Sequence, residues 1–214
     1  MPRLSQNRRT ANRAAIVDAA RRCFARNGYH QTSMPQIAAE AGISTGAPYR
    51  YFSGKEDLVV EVAQLAFESV FTPIMRLVEE SDEITVGDLV GRAAQALTPP
   101  TGAGAAEQAE LLRCGVDAWG ELLRNDHLRA HAIEGLDRTV EHLAQALRRG
   151  QANGSVPDDL DPGNTARIIV AFVHGLMLQR AAFGLTDVES LVREARTLTG
   201  QSGQRRGDRA GVEE

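Results

Sequence analysis

Apolar residues return every three or four positions through most of the chain, and the breaks in that rhythm divide it into helices. From Thr10 to Asn27, the residues Ala15, Ile16, Ala19, Ala20, Cys23 and Phe24 mark one face. That spacing predicts an amphipathic helix closed at Asn27–Gly28. Thr32 to Ala41 repeats the pattern with Ile37, Ala38 and Ala41, Thr32 standing as N-cap and Pro35 in the first turn. Gly42 falls where a left-handed residue ends a helix, and Ser44 caps another, with Tyr49 and Phe52 inward. Ser53 and Glu56 then read as a capping box. The helix it opens carries Leu58, Val59, Val62, Leu65, Ala66 and Val70 inward, and Pro73 should kink or end it.

Five more helices and a loop follow by the same test. Residues 81–97, SDEITVGDLVGRAAQAL, give a short helix and TPPTGAGAA a loop; residues 105–124 place Leu111, Leu112, Gly115, Trp119 and Leu122 inward. Residues 126–149 carry Ile133, Leu136, Val140, Leu143 and Leu147, and GQANGSVPDDLDP breaks the rhythm. Asp161 as N-cap and Pro162 at the first position open a helix running to Phe183, apolar nearly all round from Ile168 to Leu178. Such a helix must be buried on more than one face, one against its own domain and one against a second subunit. Eleven residues are too few to span a membrane. Val188, Leu191, Val192, Ala195 and Leu198 form the last helix. Residues 1–9 and 201–214 are polar and aperiodic, and are expected to be disordered. The fold class is all-α, with no predicted strand.

The stretch Thr32–Lys55 organises the rest. Two short helices joined by a tight glycine-containing turn are a helix-turn-helix, whose second helix enters the major groove. On it Thr45, Gly46, Ala47 and Arg50 are the base-reading candidates. Gly46 and Ala47 let the backbone approach, Ala47 can touch a thymine methyl, and Arg50 can hold a guanine bidentately. Thr32, Ser33, Ser44, Tyr49, Tyr51 and Lys55 suit phosphates, through hydroxyls, helix N-termini and one cation.

The run from Gly28 to Leu58, with AAEAGIS, GAPYRYF and GKEDL in register, resembles the DNA-binding domain of the TetR family of transcriptional regulators. Tyr49 and Lys55 match the family's phosphate-contact positions; Pro48 replaces a larger aliphatic residue and Tyr51 a histidine. The resemblance implies a head, residues 1–57, and a ligand-binding and dimerisation body, residues 58–200. It implies a homodimer that binds a pseudopalindromic operator on double-stranded DNA, represses transcription, and is released when a small effector moves the connecting helix. It also implies pairing through the last two large helices. Phe172, Gly175, Leu176 and Leu191 are the expected interface residues. A largely apolar effector would be lined by Phe67, Phe71, Met75, Trp119, His131 and Met177, large soft side chains with a few polar groups. The alternative is a DNA-binding activator or architectural protein that needs no ligand, whose body would be tightly filled.

Charge sharpens this picture. Residues 1–57 hold nine basic side chains (Arg3, Arg8, Arg9, Arg13, Arg21, Arg22, Arg26, Arg50, Lys55) against four acidic ones, whereas the whole chain is −4. A basic head on an acidic body suits a phosphate-facing domain. Cys23 and Cys114 match no zinc or redox spacing and read as buried thiols. GAGAAE lacks the strand and third glycine of a dinucleotide loop. His127 and His131 stand four apart without a third ligand nearby, and His174 in the apolar helix reads as a buried hydrogen-bonding group. No nucleophile, phosphate loop or metal cluster emerges, so no enzyme, cofactor or metal is expected. With no signal peptide or long apolar run, the expected location is the cytoplasm, off the membrane.

Overall fold

The computed structural model describes residues 6–81, 83–98, 104–185 and 187–200. In chain order the helices are α1 (Gln6–Gln31), α2 (Met34–Glu40), α3 (Lys55–Glu80), α4 (Val86–Leu97), α5 (Gly104–Leu122), α6 (Asp126–Asn153), α7 (Pro162–Phe183) and α8 (Val188–Gly200), with a 3₁₀ turn at Pro48–Arg50. No strand occurs among the described residues. Residues 1–5 of the expected arm, 99–103 of the expected loop and the tail 201–214 lie outside the described residues. Residues 6–9, expected to be disordered, are the first turn of α1, where Thr10 Oγ1 donates to the Gln6 carbonyl at 3.2 Å.

The chain packs as two compact units whose limits differ from the head and body boundary expected at 57/58. The first holds residues 1–68 and 99–133, and the second residues 69–98 and 134–214. In the first, α1, α2, the 3₁₀ turn and the start of α3 share a core with α5 and the start of α6. Ile16, Phe24, Tyr29, Ile37, Phe52, Leu58 and Val62 are buried there together with Cys114, Ala118 and Leu128. Phe24 is nearly inaccessible and meets Tyr29 edge-on, ring centres 4.6 Å apart. Truncating such a ring to alanine costs about 3–5 kcal/mol. The close expected at Asn27–Gly28 is instead an interruption: the φ of 74° at Gly28 breaks α1, and Tyr29–Gln31 resume as one further turn.

In the second unit α4 packs against α8 and α7. Thr85 caps α4, its hydroxyl accepting from the Asp88 N–H at 3.1 Å. Asp161 caps α7 as expected, accepting from the Asn164 N–H at 2.7 Å with Pro162 behind it. Arg149 donates to the Val78 carbonyl at 3.0 Å, closing the end of α3.

Several expectations change. Pro73 neither ends nor breaks α3, which runs on to Glu80. The lost hydrogen bond and ring clash cost about 3 kcal/mol. Val70, Phe71, Ile74 and Val78 are all buried around it, and each buried side chain contributes about 1.5–3 kcal/mol. Burial wins. The capping box sits differently too: helix α3 begins at Lys55, and Ser53 N–H and Oγ both donate to Asp57 Oδ2 at 2.7 Å, so Asp57 rather than Glu56 closes it. Helix α6 continues past Gly150 to Asn153. A Cβ at Gly150 would stand 2.5 Å from Val156 Cγ2, so only glycine lets that close approach form. Leu65 and Ile133, expected inward, are 41% and 50% exposed. The eleven-residue apolar stretch lies within the 22-residue α7, and both α3 and α7 are long and apolar enough to cross a membrane by length and composition alone. In α3 the apolar face is core: Leu58, Val62, Ala66, Val70 and Ile74 are fully buried.

Candidate functional site

The segment from Ser33 to Lys55 is built on a buried anchor. Met34, Ile37, Ala38, Pro48 and Phe52 face the core, whereas Ser33, Ser44, Thr45, Gly46, Tyr49 and Arg50 are exposed and Ala47, Tyr51 and Lys55 partly so. Helix α2 ends at Gly42, whose φ of 67° is the left-handed turn predicted for it. The Gly42 N–H donates to Ala39 O at 3.1 Å and the Ile43 N–H to Ala38 O at 3.0 Å, the paired bonds of a Schellman cap. A side chain at Gly42 would meet no neighbour, so its cost there is conformational.

The expected second α-helix is instead a tight run of turns. Ala47 N–H donates to Ser44 O at 2.9 Å, Arg50 N–H to Ala47 O at 3.2 Å and Tyr51 N–H to Pro48 O at 2.9 Å. Each bond spans three residues, the 3₁₀ pattern. The cause is Pro48, which has no N–H to give to Ser44 O where an α-ladder would start. Thr45, Gly46, Ala47 and Arg50 remain together on this run, so the geometry keeps the readers adjacent while changing the element that carries them.

Thr32 is a correction. It is 2% exposed, and its hydroxyl donates to Gly28 O at 2.8 Å and Cys23 O at 3.3 Å, satisfying carbonyls at the end of α1. A hydroxyl so enclosed does not meet a phosphate. The N-cap of α2 is Ser33, whose N–H donates to Gln36 Oε1 at 2.7 Å. Lys55 Nζ donates to Tyr29 O at 2.7 Å, and Tyr51 Oη accepts from Asn12 Nδ2 at 3.4 Å. Tyr49, 56% exposed, projects outward.

Much of the basic excess is spent inside the protein. Arg22 Nε meets Glu40 Oε1 at 2.7 Å, and Arg26 joins the same carboxylate, clamping α2 to α1. Those bonds hold the Glu40 carboxyl below its usual range. Arg21, 8% exposed, reaches Asp18 at 2.9 Å, Glu110 at 3.0 Å and Glu107 at 3.4 Å. Burial pushes Asp18 up, but the Arg21 and Arg22 bonds outweigh it and leave its carboxyl lowered. Arg13 pairs with Glu61 at 2.5 Å and lies 5.0 Å over the Phe52 ring. Sequence reasoning missed these scaffolding arginines. The Arg22/Arg26 spacing of four was a signal, but nothing in the sequence said that Glu40 lies opposite.

The remaining candidates fall in both units. In the first, Phe67 and Trp119 are partly buried, and His131 is exposed; α6 turns His131 to the surface, so it does not line an enclosed pocket. The His127 side chain lies outside the described residues. In the second, Phe71 and Met177 are buried and Met75 partly so. Phe71 meets His174 edge-on at 6.0 Å, and burial lowers the His174 pKa. Along α7, Leu176 is 4% exposed and belongs to its own unit's core, which corrects its place in an interface. The outer face instead shows Ile168 at 68%, Gly175 and Phe183 at 72%, with Phe172 partly exposed and Leu191 of α8 at 42%.

Two family models match the chain. One, described as bacterial regulatory proteins of the tetR family, covers residues 16–62. The other, the C-terminal part of a BetI-type transcriptional repressor, covers residues 93–199. The HTH-type transcriptional regulator UidR of Escherichia coli K12 is 27% identical over 188 residues, 88% of this chain and 91% of that protein. Salmonella enterica GusR has the same fold with a TM-score of 0.70 at 26% identity, over 88% and 95% of the two chains. SmeT, the repressor of the Stenotrophomonas maltophilia multidrug efflux pump SmeDEF, matches with a TM-score of 0.62 at 25% identity, over 89% of each.

Proposed function

The chain belongs to the TetR family of DNA-binding transcriptional regulators and is not an enzyme; from that premise we propose that it is a cytoplasmic repressor, a homodimer holding a pseudopalindromic operator until a small, largely apolar effector binds its C-terminal half. The observation that carries this reading is the exposed run Ser44–Arg50 on its buried Pro48–Phe52 anchor. Thr45, Gly46, Ala47 and Arg50 read base edges there, and Ser33, Ser44, Tyr49, Tyr51 and Lys55 meet phosphates. So short a reading element covers few base pairs, and two-fold pairing with half-sites about one helical turn apart supplies the missing affinity.

Dimerisation is supported by the outer face of α7. Ile168, Gly175 and Phe183 of α7 are exposed apolar or small positions, and Leu191 of α8 is exposed as well. Gly175 admits a close helix, since a Cβ there would meet nothing in the monomer. The effector site is proposed within the second unit, at Phe71, Met75 and Met177, with His174 added as a neutral polar group beside Phe71; Phe67 and Trp119 of the first unit stand as separate candidates. An effector shifts the equilibrium only by its differential affinity for the two states.

The test follows a labelled operator and the fluorescence of Trp119, the single tryptophan, while hydrophobic acids, amines and neutral compounds are titrated in turn. Release accompanied by a Trp119 change supports the effector reading. Operator binding that no compound weakens favours the ligand-independent regulator.

A further inference from the structure

We propose that Tyr29 is the positioning residue through which α5 and the DNA-facing segment sense one another. This rests on the reading of the chain as an operator-binding regulator. Three elements of the first compact unit converge on this one residue. The Tyr29 hydroxyl donates to the Cys114 carbonyl in α5. Its own carbonyl accepts from Lys55 Nζ at 2.7 Å, at the first residue of α3 and directly after the recognition run. Its ring lies edge-on to Phe24 at 4.6 Å, and the residue is 5% exposed.

The backbone around Tyr29 makes the junction responsive to position. Gly28 turns the chain with φ 74°, so Tyr29 stands outside the regular ladder of α1. Thr32 ties back to Gly28 O at 2.8 Å, and Ser33 then caps α2. A shift of Cys114 along the axis of α5 therefore pulls on the hydroxyl of a residue whose carbonyl holds Lys55 and whose chain leads into α2 within four residues. Burial pushes the Tyr29 phenol well above its ordinary range, so the hydroxyl stays protonated and stays a donor. Arg21, by contrast, joins α5 through Glu107 and Glu110 but touches neither α2 nor α3 in any described bond, and serves as an anchor.

Coupling between two sites is reciprocal, so DNA must act on α5 as α5 acts on DNA. The test therefore needs no effector. A duplex is selected from a random-sequence library by the wild-type protein, and amide hydrogen exchange of the full chain is measured with and without it. In the wild type, DNA slows exchange in the recognition run and also across Arg113–Ala118 of α5, the latter on the order of tenfold. In Tyr29→Phe the ring still packs on Phe24 and the recognition run is still protected, but the α5 response vanishes. In Glu110→Gln, which weakens the anchor by removing one of its two α5 charges and leaves Tyr29 untouched, the α5 response persists.

The proposal is overturned if wild-type α5 does not respond to DNA, a result independent of any variant's folding. It is equally overturned if Tyr29→Phe keeps the α5 response, or if Glu110→Gln loses it as fully, since coupling would then belong to the packing as a whole. A protein that selects no sequence overturns the operator reading, and the relay with it.

Discussion

Salt separates two uses of the same arginines. If all nine basic side chains of residues 1–57 met phosphates, a dimer would neutralise about eighteen, and log K against log salt would fall with a slope near −16, at about −0.9 per contact. The structure withdraws four. Arg13 is paired with Glu61, Arg21 with Asp18, Glu107 and Glu110, Arg22 with Asp18 and Glu40, and Arg26 with Glu40. With Arg50 assigned to a base edge, Arg3, Arg8, Arg9 and Lys55 remain for phosphates, which sets a ceiling of about −7 for the dimer. If Lys55 keeps its bond to Tyr29 O on DNA, the ceiling falls to about −5. The assay is fluorescence anisotropy of a labelled operator between about 50 and 200 mM salt. Arg50→Gln, which removes a base contact, should change the slope little, and Arg22→Gln with Arg26→Gln should leave it unchanged and loosen α2. A wild-type slope near −16, or a drop of about 4 in the Arg22/Arg26 double variant, would refute the partition.

Four further outcomes follow from particular residues. Arg50→Ala should cost about 1–3 kcal/mol of discrimination between operator and mutated operator, measured by competition binding. Thr32→Val should lower stability by about 1 kcal/mol in urea unfolding, through its lost bonds to Gly28 and Cys23, yet leave DNA affinity of the folded protein unchanged. Ile168→Glu should give a folded monomer by light scattering, whereas Leu176→Glu should unfold the chain by burying an unpaired charge. Burial lowers the His174 pKa from 6.5, so the unfolded ring takes up its proton first as pH falls. Its contribution is complete above pH 6.5 and declines below it until the folded ring also titrates, so the wild-type urea midpoint should drop between neutral and acid pH more than that of His174→Gln.

What the sequence made legible was whatever is encoded locally. The cap Asp161–Pro162, the left-handed Gly42 and the Gly28 break sit where their residue types require them. The apolar rhythm placed every helix among the described residues to within a few positions, save the recognition helix. That one failed because a proline at Pro48 changes the hydrogen-bond ladder without disturbing the apolar spacing that signals a helix. Pro73 failed in the opposite sense, since burial on both sides of it overrides a local rule. The candidate readers Thr45, Gly46, Ala47 and Arg50 are neighbours in sequence and lie together on one largely exposed run. The site was not legible at Thr32, where one residue decides between capping outward and bonding inward. Nor were the arginine partners, because Glu107 and Glu110 are remote in sequence and only the packing of α5 on α1 brings them to Arg21.

The most direct test of a two-fold operator-binding repressor is the mass and sequence of the complex it forms. Duplexes enriched from a random library are sequenced, and the mass of the complex with the winning duplex is determined by light scattering. The account predicts an inverted repeat with half-sites about one helical turn apart, bound by an even number of chains. A single chain bound to an asymmetric site, or no enriched sequence at all, would contradict it.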